Sequence, residues 1–373
     1  IGLSYINYAE DDIVVIMDPE QIVIAQIAPA VRVAWGEGFG LTAEEATVGK
    51  MVSAARQIGF DYVFDTDFSA DLTIMEEGHE LLERLLQKKE AKMPMFTSCC
   101  PGWVRFMKSQ FPAYVDHLST AKSPQQMFGA VAKTYYADIL GVTPDKITCV
   151  SIMPCTAKKY ECAVPQVNDS GAERDVDVAL TTREFVRMLC AAQVNIETLE
   201  EDTFDEPLGL GTGAGVIFGA TGGVMEAALR SAYYFVTGEN PEADDFAVVR
   251  GEDGIREVTV EIQGTPIRAA VVSGLGNARK LMERIENDEV SYDFVEVMAC
   301  PGGCAGGGGQ PIHDGEELAC ERGQKLYTLD QESELRLSHE NPAIVQIYDK
   351  FLGEPLSHKS HELLHTRQAE WDM

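Results

Sequence analysis

Apolar positions along the chain alternate between short continuous runs and stretches with three-to-four-residue spacing. That pattern predicts strands interleaved with helices, the α/β class. Ile13 to Met17, Ile22 to Ile27, Asp61 to Phe64, Met95 to Ser98, Ile147 to Met153, Val176 to Leu180 and Phe294 to Met298 read as strands. Ile255 to Ile262 and Pro266 to Val272 read as a hairpin around Gln263-Gly264. Helix signals fall between them. Thr42 with Glu45 three residues on is a capping box opening a helix toward Ile58. Ser69 is expected to cap a helix reaching Gln87. Pro101 suits the first turn of a helix after Cys100, Ser123-Pro124 with Gln126 starts another, and Thr181 with Glu184 a further one. From Gly315 onward the chain is more polar and ends in helix-like segments, Pro342 to Leu352 and Ser357 to Leu364. This part reads as a belt wrapped on a finished core. No internal repeat stands out.

Three strand-like runs end at cysteine: Phe96-Thr97-Ser98 before Cys99-Cys100, Ile152-Met153-Pro154 before Cys155, and Val297-Met298-Ala299 before Cys300. Open α/β folds gather ligands at the carboxyl ends of strands, so convergence of these ends would build one buried thiolate site. Cys100, Cys155, Cys300 and Cys304 supply the four thiolates that a cubane [4Fe–4S] cluster needs. Zinc also takes four thiolates, but usually from short paired knuckles; here the ligands are far apart in sequence, inside apolar flanks. Cys300 to Pro311 holds six glycines in twelve residues. Such a loop lets backbone approach a large inorganic group and donate N–H groups to its sulfurs. Cys149, Cys162, Cys190 and Cys320 read as small packing residues.

Composition narrows the class. The chain has 373 residues, 45% of them hydrophobic, enough for one large core or two fused lobes. A formal net charge of −30 argues against nucleic acid, and no apolar run of membrane-spanning length occurs. The nine cysteines are an odd count, and Ile1 to Ser4 carries no basic leader, so cytoplasmic thiols fit better than a secreted disulfide framework. The first residue is not Met, which leaves room for an upstream segment. Lys88, Lys89, Lys92, Arg105, Lys108, Lys122, Lys158 and Lys159 fall near the motifs and are expected to form a basic patch that steers an acidic electron carrier.

Three segments together resemble the signature motifs of [FeFe]-hydrogenases: Thr97 to Trp103 (TSCCPGW), Met153 to Glu161 (MPCTAKKYE), and Glu296 to Cys304 (EVMACPGGC), continuing through Gly309-Gln310-Pro311. The similarity runs from Ile27 to His365. It implies two lobes with mainly parallel twisted sheets flanked by helices, an active site buried between the lobes and a C-terminal helical belt. The implied division is a catalytic domain over 1–320 and a small-subunit-like belt over 321–373. The resemblance implies reversible reduction of protons to molecular hydrogen. Cys100, Cys155, Cys300 and Cys304 would hold the [4Fe–4S] cluster. Cys304 would also bridge to a di-iron subcluster carrying CO, CN and a bridging azadithiolate. Lys158 would donate to one cyanide and the backbone at Ala28-Pro29 would receive the other. Met153, Phe218 and Met298 would form an apolar wall, and Ser123, Gln125 and Gln310 would orient the subcluster.

Protons would travel from Cys99 through Glu77, Ser119 and Glu80 to Arg84 at the surface. Glu77, Glu80 and Arg84 fall on one helical face; by periodicity alone this is a solvated stripe, and the match to the family makes it a path. Electrons would come from ferredoxin or an adjacent iron–sulfur subunit, and maturation proteins would install the di-iron unit. No cysteine precedes Cys99, so none of the cysteine-rich upstream modules of many relatives is present in this sequence. The competing readings are a sensory hydrogenase of low turnover, an iron–sulfur assembly relative holding only the [4Fe–4S] cluster, and a plain electron-transfer protein.

Overall fold

The computed structural model describes residues 3–7, 12–16, 21–42, 44–87, 91–242, 244–251 and 253–368. Ten strands are found among them: Leu3–Asn7 (β1), Asp12–Ile16 (β2), Ile22–Ile27 (β3), Tyr62–Asp65 (β4), Met95–Phe96 (β5), Ile147–Met153 (β6), Val178–Thr181 (β7), Ile255–Ile262 (β8), Thr265–Ser273 (β9) and Phe294–Met298 (β10). β1 and β2 pair only with each other, antiparallel. One four-stranded sheet has the order β4-β3-β6-β7 and is parallel throughout. The other has the order β5-β10-β9-β8, parallel except for the β8–β9 hairpin.

Helices cover both faces of each sheet, which is why the central strands are buried and mostly apolar, with Gln26, Ser151 and Glu296 among their buried polar exceptions. In β3 the period-two alternation sends Val23, Ala25 and Ile27 to one side, with Met51, Val52, Phe185 and Leu189 of helices Val48–Gln57 and Thr182–Ala191. Ile24 points the other way, with Phe68, Leu72, Met127 and Phe128 of helices Thr66–Leu86 and Pro124–Val131. The second sheet is sandwiched likewise. Val295 and Val297 meet Trp103, Met107, Leu281 and Met282, while Phe294 and Met298 meet Ile74, Met225 and Leu229. Helix Thr66–Leu86 thus serves both lobes, lending Phe68 and Leu72 to one core and Ile74 and Leu81 to the other.

Element types follow the sequence reading, with corrections at the ends. Met17 lies outside the described residues, and β2 stops at Ile16. The Thr42 N–H does bond Glu45 at 2.9 Å, but this closes a turn; the helix begins at Val48, capped by Thr47. Ser69 sits inside a helix that starts at Thr66, with Asp65 accepting the Asp67 N–H at 3.0 Å. Asp65 and Asp67 both pair with Arg32, at 2.6 and 3.0 Å, so the polar first turn, which precedes the expected Ser69 cap, is buried. Ser123 caps its helix as expected, and the Thr181–Glu184 box is complete.

The C-terminal segment includes helices Ala319–Glu332, Pro342–Ile347 and His358–Leu364. Ile344, Ile347, Leu352 and Leu364 enter the same core as Phe128 and Tyr136. The expected boundary between 320 and 321 falls within the first of these helices, whose Leu326 and Tyr327 pack on Ala30, Ile217 and Ala305.

Candidate functional site

The carboxyl ends of β3, β5, β6 and β10 face a cavity between the two sheets. It has a volume of about 80 Å³ and is lined by Ala28, Pro29, Cys99, Cys100, Met153, Cys155, Lys158, Phe218, Met298 and Cys304, among others. Most residues expected at the pocket line it, but Cys300 does not. Gln125 lines it too, whereas Ser123 and Gln310 lie one layer behind. Ser123 bonds the Glu161 carboxylate at 2.9 Å, and Gln310 clamps Thr182 and the Ala30 carbonyl at 2.8 and 2.7 Å. Thr66, Pro124, Pro154 and Gly219 are lining residues that sequence reasoning did not find; only their neighbours in the fold reveal them.

Cys100, Cys155, Cys300 and Cys304 converge. Burial raises the Cys304 thiol well above its ordinary value, and the charges of Cys155, Cys100 and Cys300 raise it further. Burial pushes Cys155 up to about 11, again with Cys100 and Cys300 adding. Burial raises Cys300 as well, with the Cys100 charge adding; thiols crowded together in this way ionise more readily beside a positive partner, and a metal cluster is one. Among the described residues no three His, Cys, Asp or Glu side chains stand close enough to share one ion, unlike a tetrahedral zinc site. N–H groups of Lys158 and Gly308 face the sulfurs of Cys155 and Cys300 and favour their charged forms.

The glycine-rich loop has a second purpose that sequence alone does not show: it packs backbone to backbone on the second motif. A Cβ on Gly309 would stand 2.7 Å from the Pro154 carbonyl carbon and 2.9 Å from the Cys155 nitrogen. The Gly309 N–H bonds the Pro154 oxygen at 2.7 Å, locking the Cys155 and Cys304 turns together.

Lys158 is buried. Its Nζ donates to Glu161 at 2.9 Å and to the Cys99 carbonyl at 3.0 Å. Burial disfavours its charge, but the adjacent Glu161 carboxylate more than compensates and raises its pKa. Glu161 also accepts from Gln125 at 3.0 Å. It lies inside the second motif and three residues from Lys158, a spacing that could have flagged it.

Cys99 stands beside the cavity, with burial and then the Glu77 charge raising its thiol pKa. Neither Glu77 oxygen has a partner at full bonding distance, although the Ser119 hydroxyl and the Ser98 N–H lie near enough to favour its charge. Burial, then the Glu80 charge, pushes Glu77 up to about 8. Beyond it, Ser119 Oγ donates to Glu80 at 2.7 Å and Arg84 holds Glu80 at 2.6 Å. Ser119, Glu80 and Arg84 are thus joined by hydrogen bonds, whereas Glu77 is bonded to neither Cys99 nor Ser119, which leaves two open steps in the expected path.

The expected basic patch loses some of its members: Lys92 and Arg105 are exposed and Lys108 is half-buried, but others are not available. Lys88 and Lys89 lie outside the described residues. Lys122 is buried with its Nζ 2.5 Å from Asp169, Lys158 is the buried partner of Glu161, and Lys159 pairs with Glu184 at 2.9 Å.

Comparison with known proteins agrees with this geometry. Residues 21–308 match the family model "Iron only hydrogenase large subunit, C-terminal domain", and residues 316–368 match "Iron hydrogenase small subunit". The chain belongs to the iron-only, or [FeFe], hydrogenase family. It is 52% identical over 365 residues to the NADP-reducing hydrogenase subunit HndD of Solidesulfovibrio fructosivorans, covering 96% of this chain and 62% of the relative. It is 45% identical over 354 residues to iron hydrogenase 1 of Clostridium pasteurianum, covering 93% and 61%. The chain thus spans about three fifths of the length of these two relatives. The structure of apo [FeFe]-hydrogenase HydA1 from Chlamydomonas reinhardtii, variant C377H, superposes with a TM-score of 0.83 at 44% identity, covering 94% of this chain and 95% of that one. The cytosolic iron–sulfur assembly component 3 of Rattus norvegicus is more distant, 31% identical over 359 residues, covering 93% of this chain and 74% of the relative. Among the described residues no helix is long and apolar enough to cross a membrane.

Proposed function

We propose that this chain is the catalytic domain of a hydrogenase that interconverts protons, electrons and molecular hydrogen. The observation that carries it is the gathering of thiols from three strand ends at one apolar cavity, lined by Cys100, Cys155 and Cys304 with Cys300 close to Cys304, and a fifth thiol, Cys99, near a buried carboxylate. Cys100, Cys155, Cys300 and Cys304 would hold a [4Fe–4S] cluster, and Cys304 would bridge to a di-iron subcluster with CO, CN and azadithiolate ligands. Together these would supply the electrons and the site where hydrogen is made or split. The chain's own residues do the rest.

Lys158, ionised by Glu161, presents a cation and N–H donors toward the cavity, a charged hydrogen bond worth ~1.5–3 kcal/mol. Met153, Phe218 and Met298 exclude water, which strengthens every charge interaction inside. Cys99 Sγ passes a proton to or from Glu77. Glu77, held near neutrality of charge by burial, accepts and releases it at physiological pH. Ser119 Oγ and the Glu80 carboxylate carry it on, and Arg84 marks the exit. Electrons would come from ferredoxin or an adjacent iron–sulfur subunit, maturation proteins would complete the centre, and the cysteine usage suits the cytoplasm. Residues 1–320 would form the catalytic domain and 321–373 a belt that closes it.

The test is Cys99→Ala in matured protein. Iron content should stay at the wild-type level while hydrogen evolution from a chemical reductant nearly vanishes. Hydrogen evolution at the wild-type rate would overturn the relay.

A further inference from the structure

Among the described residues, the C-terminal belt reaches the proton path at the segment that carries Ser119. Residues 364–368 lie against residues 119–122 as a short antiparallel pair. Lys122 N–H donates to the Leu364 carbonyl at 2.8 Å, Thr366 N–H donates to the Thr120 carbonyl at 2.8 Å, and Ala121 faces His365. Gln368 Nε2 adds a bond to the Ser119 carbonyl at 3.1 Å. The segment that carries Ser119 is therefore the one the belt grips.

His365 is the centre of that grip. Its Nε2 stands 3.0 Å from Glu76 and its Nδ1 2.8 Å from the Thr120 hydroxyl. Glu76 is buried and also accepts from Tyr348 OH at 2.5 Å and Leu356 N–H at 2.9 Å. Burial opposes its ionisation, but the hydrogen bond and charge of His365, with the Tyr348 and Leu356 bonds, hold it below the usual carboxylate value. An ionised Glu76 is only an acceptor, so Nε2 donates. Nδ1 bonds the Thr120 hydroxyl in either ring state, accepting its proton when the ring is neutral and donating to its oxygen when the ring is charged. Thr120 in turn gives its backbone N–H to both Glu80 oxygens, at 3.2 and 3.0 Å. A rigid link thus runs from Glu76 on one turn of helix Thr66–Leu86, through His365 and Thr120, back to Glu80 one turn later.

We infer that His365 is a positioning residue for proton movement: with Glu76 and Thr120 it fixes the Glu80 carboxylate at Ser119. A peptide N–H stands between Thr120 and Glu80, so this link orients Glu80 and does not itself carry protons. It gives the belt a role beyond covering apolar surface. The inference rests on the relay reading above.

Thr120→Val removes the hydroxyl at nearly constant shape, and Thr120→Ser keeps it. Glu80 is followed by its infrared carboxyl band in metal-free protein, identified by its loss in Glu80→Gln. In Thr120→Val the band should shift. Hydrogen evolution of matured protein should fall roughly tenfold at unchanged iron content, a fraction of the ~10²–10⁴-fold that positioned proton transfer contributes. Thr120→Ser should restore both. His365→Ala should reproduce the Thr120→Val band shift. A wild-type band and rate in Thr120→Val overturn the inference. If Cys99→Ala abolishes turnover in the same assay, the relay reading survives that result; if Cys99→Ala turns over normally, both fall.

Discussion

Glu77→Gln tests the buried carboxylate without touching a thiol. Glu77 is almost wholly buried and its carboxylate lacks a partner at bonding distance. In the folded protein it keeps its proton to about pH 8, whereas the unfolded chain releases it near 4.5. Between those values the native state binds more protons, so this group lowers stability as pH rises, and the loss is complete above the folded pKa. Each pH unit of such a gap costs ~1.4 kcal/mol, which over this interval amounts to ~3–5 kcal/mol. Glutamine keeps the size and never ionises. Metal-free wild-type and Glu77→Gln proteins should therefore unfold at similar urea concentrations at pH 5. At pH 8.5 the variant should be the more stable by ~3–5 kcal/mol. Hydrogen evolution of the matured variant should nearly disappear, since an amide cannot pass the proton. A stability difference independent of pH between 5 and 8.5 would refute the reasoning.

Two further substitutions probe the residues that hold the cavity's lining in place. Glu161→Gln leaves the Lys158 ammonium buried without its counter-charge, so metal-free protein should lose ~3–5 kcal/mol at pH 7 in urea unfolding; an unchanged midpoint would show that the pair anchors nothing. Gly309→Ala drives a methyl group into Pro154 and Cys155, so it should cost ~1–3 kcal/mol and lower iron uptake on reconstitution; full uptake would mean that the loop yields freely.

The strands, the three cysteine turns and the lining of the cavity were legible because parallel strands buried on both faces are continuous apolar runs with abrupt polar ends. The first turn of helix Thr66–Leu86 was misread because Asp65, Asp67 and Ser69 are polar yet buried, the two aspartates by Arg32 from another element. Thr42 and Glu45 form the local bond the sequence implies, but a local bond does not decide where a helix starts when Thr47 offers a second cap. The reason for the glycine loop was half visible: φ freedom and close approach can be read from composition, but the surface approached, here the backbone of Pro154 and Cys155, cannot. Glu161 and His365 were passed over for the same reason. Their partners, Lys158 aside, are remote in sequence and meet them only in the fold.

The account stands or falls on the joint ownership of one cluster by Cys100, Cys155, Cys300 and Cys304. Anaerobic reconstitution of the wild type and the four single Cys→Ser variants, read by iron and sulfide content and by electron paramagnetic resonance of the reduced protein, tests it directly. About four irons and four sulfides per chain with a single cluster signal are predicted for the wild type, with that signal lost or altered in every variant. A wild type that takes up no cluster, or one whose signal is untouched by all four substitutions, would contradict it.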